Sequence, residues 1–242
     1  MITISNSRFS VKLFYDESPD NPRHNDKYSQ MVCWNEKYNL GDKHTYGNEK
    51  ELLKKLMQES NINPDELGID MNNFEAAKPK ILEQLRKHIP IVPMFLYDGE
   101  TPDITCAAER FGKNGEFIGY AFMEEQDLEK AYGEKGVEAI KQGLMDALGE
   151  LDLYSHYVRG NNFLMNLYKD DELFCSIKGF TGNMNREMLD CVKKATKDTL
   201  SDEKVTSEQV NDMFGVDSPQ IVSDKSYDNA PQIANFDVEE EL

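Results

Sequence analysis

Cys33, Trp34 and His44 are the residue types in this chain that could do chemistry together. A thiol with a nearby imidazole is the usual activated nucleophile, and Asp42 would sit beside them. The same residues suit a packed interior, because a cysteine inside an apolar strand ordinarily fills core space. A metal centre has weaker support. The four histidines, His24, His44, His88 and His156, include no pair at i, i+4 spacing and no His-Glu-x-x-His. Acids and a serine alternate from Asp16 toward Lys27, which raises a calcium loop. Such a loop requires Gly at its sixth position and Glu at its twelfth, where this chain has Asn21 and Lys27. Phosphate chemistry fares no better, since neither a Walker A motif nor a Gly-x-Gly-x-x-Gly occurs. The Gly-x-x-Gly of "KGFTGN" (Lys178–Asn183) reads as a strand-to-helix turn capped by Asn183. No Gly-x-Ser-x-Gly elbow occurs. The pairs Glu124-Glu125 and Asp170-Asp171 fall at element ends or turns of an acid-rich chain, where chance places them. Trp34, Tyr38 and Tyr46 could form an aromatic binding face, although a strand tryptophan more often packs inward.

The elements that position these residues follow from periodicity. Ile2–Tyr15 alternates as a strand or a hairpin about Asn6-Ser7, with Phe9, Val11, Leu13 and Tyr15 on one face. "QMVCW" is a second strand. Asn48 caps a helix with Glu51 three residues on, and Leu52, Leu53, Leu56 and Met57 form its stripe. A second helix spans about Asn72–His88 with Phe74, Ile81, Leu82 and Leu85 inward; Pro79 lies inside it, so either the helix kinks or its regular part starts there. Ile89–Asp98 is a buried strand. Ile104–Arg110 and Glu116–Glu124 should pair about an Asn114-Gly115 turn. Two helices follow, Gln126–Tyr132 and Glu134–Gly149, the latter with Val137, Ile140, Leu144 and Leu148 inward. Strands are expected over Asp152–Arg159, Asn162–Lys169 and Glu172–Lys178. A last helix, Asn183–Lys197, should turn Met184, Met188, Cys191 and Val192 inward, and a short one is suggested around Ser207–Phe214. Hairpins mixed with helices predict an α+β fold with a mostly antiparallel sheet. One domain is expected over 1–200 and a flexible acidic tail over 201–242.

Charge bounds the function. The 242 residues carry a formal net charge of −18. Residues 201–242 hold eleven acids and two lysines, half of that charge in about a sixth of the chain. This balance argues against direct nucleic-acid binding and against an anionic membrane surface. The start of the sequence shows no apolar signal segment. The longest apolar run, Ile89–Tyr97, is too short for a membrane span. No Cys-x-x-Cys pair occurs among Cys33, Cys106, Cys175 and Cys191, so reduced thiols and a cytosolic setting are expected.

The stretch "DESPDNPRHNDKYSQMVCWNEKYNLGD" (Asp16–Asp42) resembles a family of small proteins of phages, plasmids and integrative elements. Its pattern there is Asp-x-Ser-Pro-x-Asn-Pro-Arg, then Asp-Asn, Met-Val-Cys-Trp/Phe-His and Tyr-x-Leu-Gly-Asp. Here Asn35 replaces the histidine. Looser matches follow. "MFLYDGETPDIT" (Met94–Thr105) lacks the family's His-Ser-Gly, and "KNGEFIGYAF" (Lys113–Phe122) lacks its Trp-Asp-Ser. "YVRGNNF" (Tyr157–Phe163) and "SIKGFTG" (Ser176–Gly182) fit a late hairpin. The resemblance covers about Phe9 to Gly182 and implies no settled activity. The lost polar residues are those best suited to chemistry, which shifts the expectation from enzyme to binding protein.

The resulting expectation is a cytoplasmic mobile-element protein that binds and inhibits or modulates a host protein. Anti-restriction or anti-CRISPR action with DNA-like charge would fit. The host protein would carry a basic nucleic-acid-binding surface. The contact acids would be Asp16, Glu17, Asp20 and Asp26 of the lead, and Asp237, Glu239, Glu240 and Glu241 of the tail. No catalytic residue, cofactor or metal is assigned. The competing expectation is a hydrolytic or nucleotide-directed enzyme with a site near Cys33, Trp34 and Asp42.

Overall fold

The computed structural model describes residues 2–5, 8–24, 27–183, 186–201, 210 and 214. Strands β1 (Ile2–Ser5) and β2 (Phe9–Tyr15) come first, then a 3-10 turn at Pro22–His24 and β3 (Gln30–Cys33). Helices α1 (Glu49–Glu59) and α2 (Phe74–Leu85) precede β4 (Ile91–Tyr97), β5 (Asp103–Thr105), β6 (Glu109–Arg110), β7 (Lys113–Asn114) and β8 (Glu116–Phe122). The chain continues through α3 (Glu125–Tyr132), α4 (Val137–Val158), β9 (Asn162–Lys169), β10 (Glu172–Thr181) and α5 (Arg186–Thr199). The fold is α+β with antiparallel sheets. Where one body is expected over 1–200, contacts group the chain into two compact units. One is Pro22–Ser155; the other joins Met1–Asn21 to His156–Leu242. The expected tail lies outside the described residues except Ser201, Val210 and Phe214.

The split unit is built on the sheet β1-β2-β9-β10. Alternation along β2 puts Phe9, Val11 and Leu13 on one face, and register places Leu167 and Met165 opposite Val11 and Leu13. The face is covered by α5 through Met188, Val192 and Thr196. Val210 and Phe214 pack on the same core. Cys191, expected inward, is exposed. Met184 and the hairpin tip Asn6-Ser7 lie outside the described residues. The β9–β10 connection is the predicted Asp170-Asp171 turn, both residues at positive φ (51° and 68°).

The continuous unit holds the sheet β3-β8-β4-β5. Its core has α1 and α2 against Val32, Ile91, Tyr120 and Phe122. The α1 cap forms as the sequence predicts. Asn48 Oδ1 accepts from the Glu51 amide at 3.0 Å, and Glu51 reaches back to the Gly47 amide at 2.8 Å. Helix α2 runs through Pro79. Gly119 lies where β8 meets β3, and a Cβ there would come within 1.8 Å of the Val32 carbonyl oxygen.

Two expectations are corrected in this unit. Asp152–Arg159 is not a strand: α4 continues to Val158. Its buried stripe is Ala139, Gly143, Ala147, Leu151 and Tyr154, an unbroken helical spacing. Val137, Ile140, Leu144 and Leu148 do not form the inner face. Val137 is 66% exposed and Leu144 is also exposed, with Ile140 and Leu148 half-buried. The reason is close approach: a Cβ on Gly143 would meet Leu128 Cδ2 at 2.7 Å and Pro90 Cγ at 3.0 Å. Only small residues let α4 lie that near.

The expected hairpin is also corrected: Ile104–Arg110 does not pair with Glu116–Glu124, since β5 pairs with β4, β6 with β7, and β8 with β3 and β4. The turn sits at Phe111-Gly112 between β6 and β7, not at Asn114-Gly115. Gly115 serves packing instead, since a Cβ there would meet Phe95 and Tyr97 at 2.8 Å. Phe111 takes φ 53° while 91% exposed. A bulky residue pays steric strain in that region and gains no burial here. Phe111→Asn should therefore raise stability by about 1 kcal/mol in urea melts of the full chain.

Candidate functional site

The resemblance block folds around Arg23. The 3-10 turn begun by Pro22 directs this side chain inward, and Arg23 is only 4% exposed. Its guanidinium forks onto Asp42, Nε to Oδ1 at 3.2 Å and Nη2 to Oδ2 at 2.8 Å. Nη1 donates to Glu150 Oε2 at 2.8 Å, and Nη2 also to the Ser29 carbonyl at 2.6 Å. Asp42 accepts further from the Met31 amide at 2.8 Å and pairs with Lys27 at 2.5 Å. Glu150 accepts from the Tyr28 amide, the Ser29 amide and the Ser29 hydroxyl. Gly41 closes the turn at φ +77°, its amide donating to the Tyr154 hydroxyl at 2.8 Å. A Cβ on Gly41 would meet the Met31 carbonyl oxygen at 2.5 Å.

This is a clasp, with each carboxylate oxygen engaged. Burial alone would raise the Asp42 carboxyl. The donors Arg23, Lys27 and the Met31 amide outweigh burial and hold it below the ordinary carboxylate range. The Asn-Pro-Arg and Gly-Asp ends of the block are thus two sides of one contact, closed by Glu150 from α4.

The nucleophile reading loses its chemistry at the same place. Cys33 is buried, and burial with the nearby Asp42 charge, partly offset by Arg23, pushes its thiol up to about 12. A thiol at that value is not a thiolate near neutrality. His44 Nε2 lies 2.8 Å from the Cys33 carbonyl oxygen, to which it donates. Its Nδ1 is buried with no hydrogen-bond partner among the described residues. In the native protein, iodoacetamide should modify Cys106 and Cys191, which are exposed, and leave Cys33 protected until unfolding. Peptide mapping by mass spectrometry reads this directly.

The lead acids separate. Asp16 is 5% exposed, caps the Ser18 amide at 3.0 Å and lies 3.6 Å from Lys178 Nζ, so it does not present its charge to solvent. Glu17 and Asp20 are exposed. Asp26, Asp237, Glu239, Glu240 and Glu241 lie outside the described residues. Among the described residues, no group of three His, Cys, Asp or Glu side chains could hold a metal ion. Lys178 to Thr181 of the Gly-x-x-Gly stretch belong to the bulged end of β10.

A cleft of about 310 Å³ opens beside Trp34. Asn35 shapes it: its Oδ1 accepts from the Lys37 amide at 3.1 Å and the Tyr38 amide at 2.9 Å. This Asx turn folds the segment back so that Lys37 Nζ and the Tyr38 hydroxyl both reach Asp98, at 2.5 and 2.9 Å. The hydrogen bond to Lys37 raises the lysine above its usual range and lowers Asp98 below its own. Trp34 is half-buried, its Nε1 donating to the Tyr46 carbonyl at 2.9 Å, and the His44 ring lies between the Trp34 and Tyr46 rings, 5.8 and 6.0 Å from their centroids. Leu96 and Glu116, paired across β4 and β8, complete the wall and rim. Leu96, Glu116 and Asp98 all lie inside the looser resemblance stretches, but nothing local in those stretches signals a place beside Trp34; the Leu96–Glu116 register brings the two strands together there.

Comparison with known proteins finds no family model, no curated protein and no solved structure that matches this chain.

Proposed function

We propose that the protein is an acidic factor of a mobile element that binds a basic host protein in the cytoplasm and inhibits or modulates it. Occupying a nucleic-acid groove, as an anti-restriction or anti-CRISPR factor would, is the mode that fits its charge. The observation that carries the reading is the net charge of −18. The clasp neutralises two of its acids internally, with Arg23 and Lys27 set against Asp42 and Glu150. The surplus therefore lies on other residues, among them the exposed Glu17, Asp20, Glu36 and Glu116. Concentrated negative charge attracts basic grooves and speeds encounter with them. The resemblance of Asp16–Asp42 to phage and plasmid proteins agrees with this setting. Among the described residues, no helix is long and apolar enough to cross a membrane.

The test is affinity capture from host lysate with the full chain and with a chain ending at residue 200. A basic nucleic-acid-processing protein should be retained at low salt, released as salt rises, and displaced by duplex DNA. Capture without such a protein, or capture indifferent to salt and DNA, would remove the reading.

A further inference from the structure

The cleft beside Trp34 holds chemistry that the clasp does not use. It is lined by the half-buried Trp34, by the edge of the buried Leu96 and by Asn35, with Glu36, Asp98 and Glu116 set against Lys37, the one cation among the described lining residues. Asp98 is engaged by Lys37 and Tyr38, whereas Glu36 and Glu116 form no ion pair among the described residues. The rim is therefore short of positive charge beside an aromatic face. The protein already answers part of that deficit with its own side chain, since the Lys37 ammonium sits on Asp98 and 4.9 Å from the Tyr38 ring centroid. A volume of about 310 Å³ is at the small end of ligand clefts and suits one side chain better than a cofactor.

We infer that this cleft receives an arginine side chain of a basic polypeptide partner. The guanidinium lies against the Trp34 indole and donates to Glu116 and Glu36. Arginine fits better than lysine because its planar group stacks on an indole and forks to carboxylates at once. The inference rests on the proposed function, and gives that partner one defined anchor. The rest of the contact would be diffuse charge; this part selects by shape.

Trp34 is the chain's only tryptophan, so the indole emission comes from a residue that lines the cleft. The full chain is titrated with N-acetylargininamide, with an arginine-containing basic peptide, with the neutral isostere N-acetylcitrullinamide and with N-acetyllysinamide. A saturable change is expected with both arginine probes, tighter for the peptide, and about tenfold weaker or absent with citrulline. Glu36→Gln combined with Glu116→Gln should weaken arginine binding about tenfold with the circular dichroism spectrum unchanged. Lys37→Met should strengthen it, because Asp98 becomes available.

Equal binding of citrulline, or affinity unchanged in the double variant, overturns the inference. Lysine binding as tightly as arginine removes the guanidinium assignment, and a peptide no tighter than free argininamide removes the polypeptide. Loss of the titration with lysate capture intact sinks only the anchor. An intact titration with no basic protein captured sinks only the proposed function.

Discussion

Arg23→Ala should destabilise the Pro22–Ser155 unit by about 3–5 kcal/mol, read as a lowered urea midpoint. The variant keeps Asp42 and Glu150 in place and removes the cation both face, at 2.8 Å each. Arg23 is 4% exposed, and its loss leaves Glu150 without its cation and Asp42 with Lys27 alone. A whole domain is stable by about 5–15 kcal/mol, so a loss of that size is a large fraction of it. Arg23→Lys should recover only part, because an ammonium cannot fork onto Asp42 while also reaching Glu150 and the Ser29 carbonyl.

The pH dependence separates the variant from a merely loosened core. In the native protein the Asp42 carboxyl is depressed. Its contribution is present above the unfolded value, about 3.9, and is lost as pH falls through the lower folded value. Without Arg23, burial at Asp42 is opposed only by Lys27 and the Met31 amide, so the depression of the folded value shrinks. The part of the stability that is lost on acidification shrinks with it. Urea melts from about pH 3 to pH 6 should show a shallower slope in the variant than in the native protein. Parallel slopes would mean that Asp42 does not depend on Arg23.

Gly119→Ala should cost about 3 kcal/mol or more, and expression of folded chain should fall accordingly. A Cβ at this position meets three backbone atoms of β3, Val32 oxygen at 1.8 Å, Val32 carbon at 2.9 Å and Cys33 Cα at 3.0 Å. No rotamer change relieves a clash with backbone. The strands would have to part where Cys33 pairs with Gly119, breaking the ladder that presents Met31 to Asp42. Gly149→Ala is the control. It is exposed on α4 with nothing within 4 Å of its Cβ, so alanine should be neutral or stabilising there. Equal losses in both variants would show that steric closure at Gly119 is not what β3 needs.

Local rules carried much of the fold. Asn48 with Glu51 marked the start of α1, and Phe9, Val11 and Leu13 marked the inner face of β2, because each signal lies within a few residues of its effect. Helix α4 failed twice for one reason. Leu151, Leu153 and Ser155 alternate as a strand would, but Tyr154 and Val158 also continue a helical stripe. Tertiary packing on Gly143 decided between them, and it put small residues inward where bulk was expected. The Asp16–Asp42 block was visible as a unit. Its purpose was not, because Glu150 comes from a distant helix with no motif of its own. Asp16 was read as surface charge for want of any sign that Lys178 would face it.

Strand pairing across the inserted unit sets a schedule for synthesis. Tyr15 pairs with Phe163, about 150 positions later in the chain. At a translation rate of roughly 5–20 residues per second, the β1–β2 ribbon waits roughly 8–30 s for β9 to leave the ribosome. Pro22–Ser155 is complete before β9 is made, so it is the first unit able to fold. During that interval β2 shows an open edge and the apolar Phe9, Val11 and Leu13, with neither β9 nor α5 yet made to cover them. The nascent ribbon is thus the part of this chain that waits longest for the strand and helix that cover it.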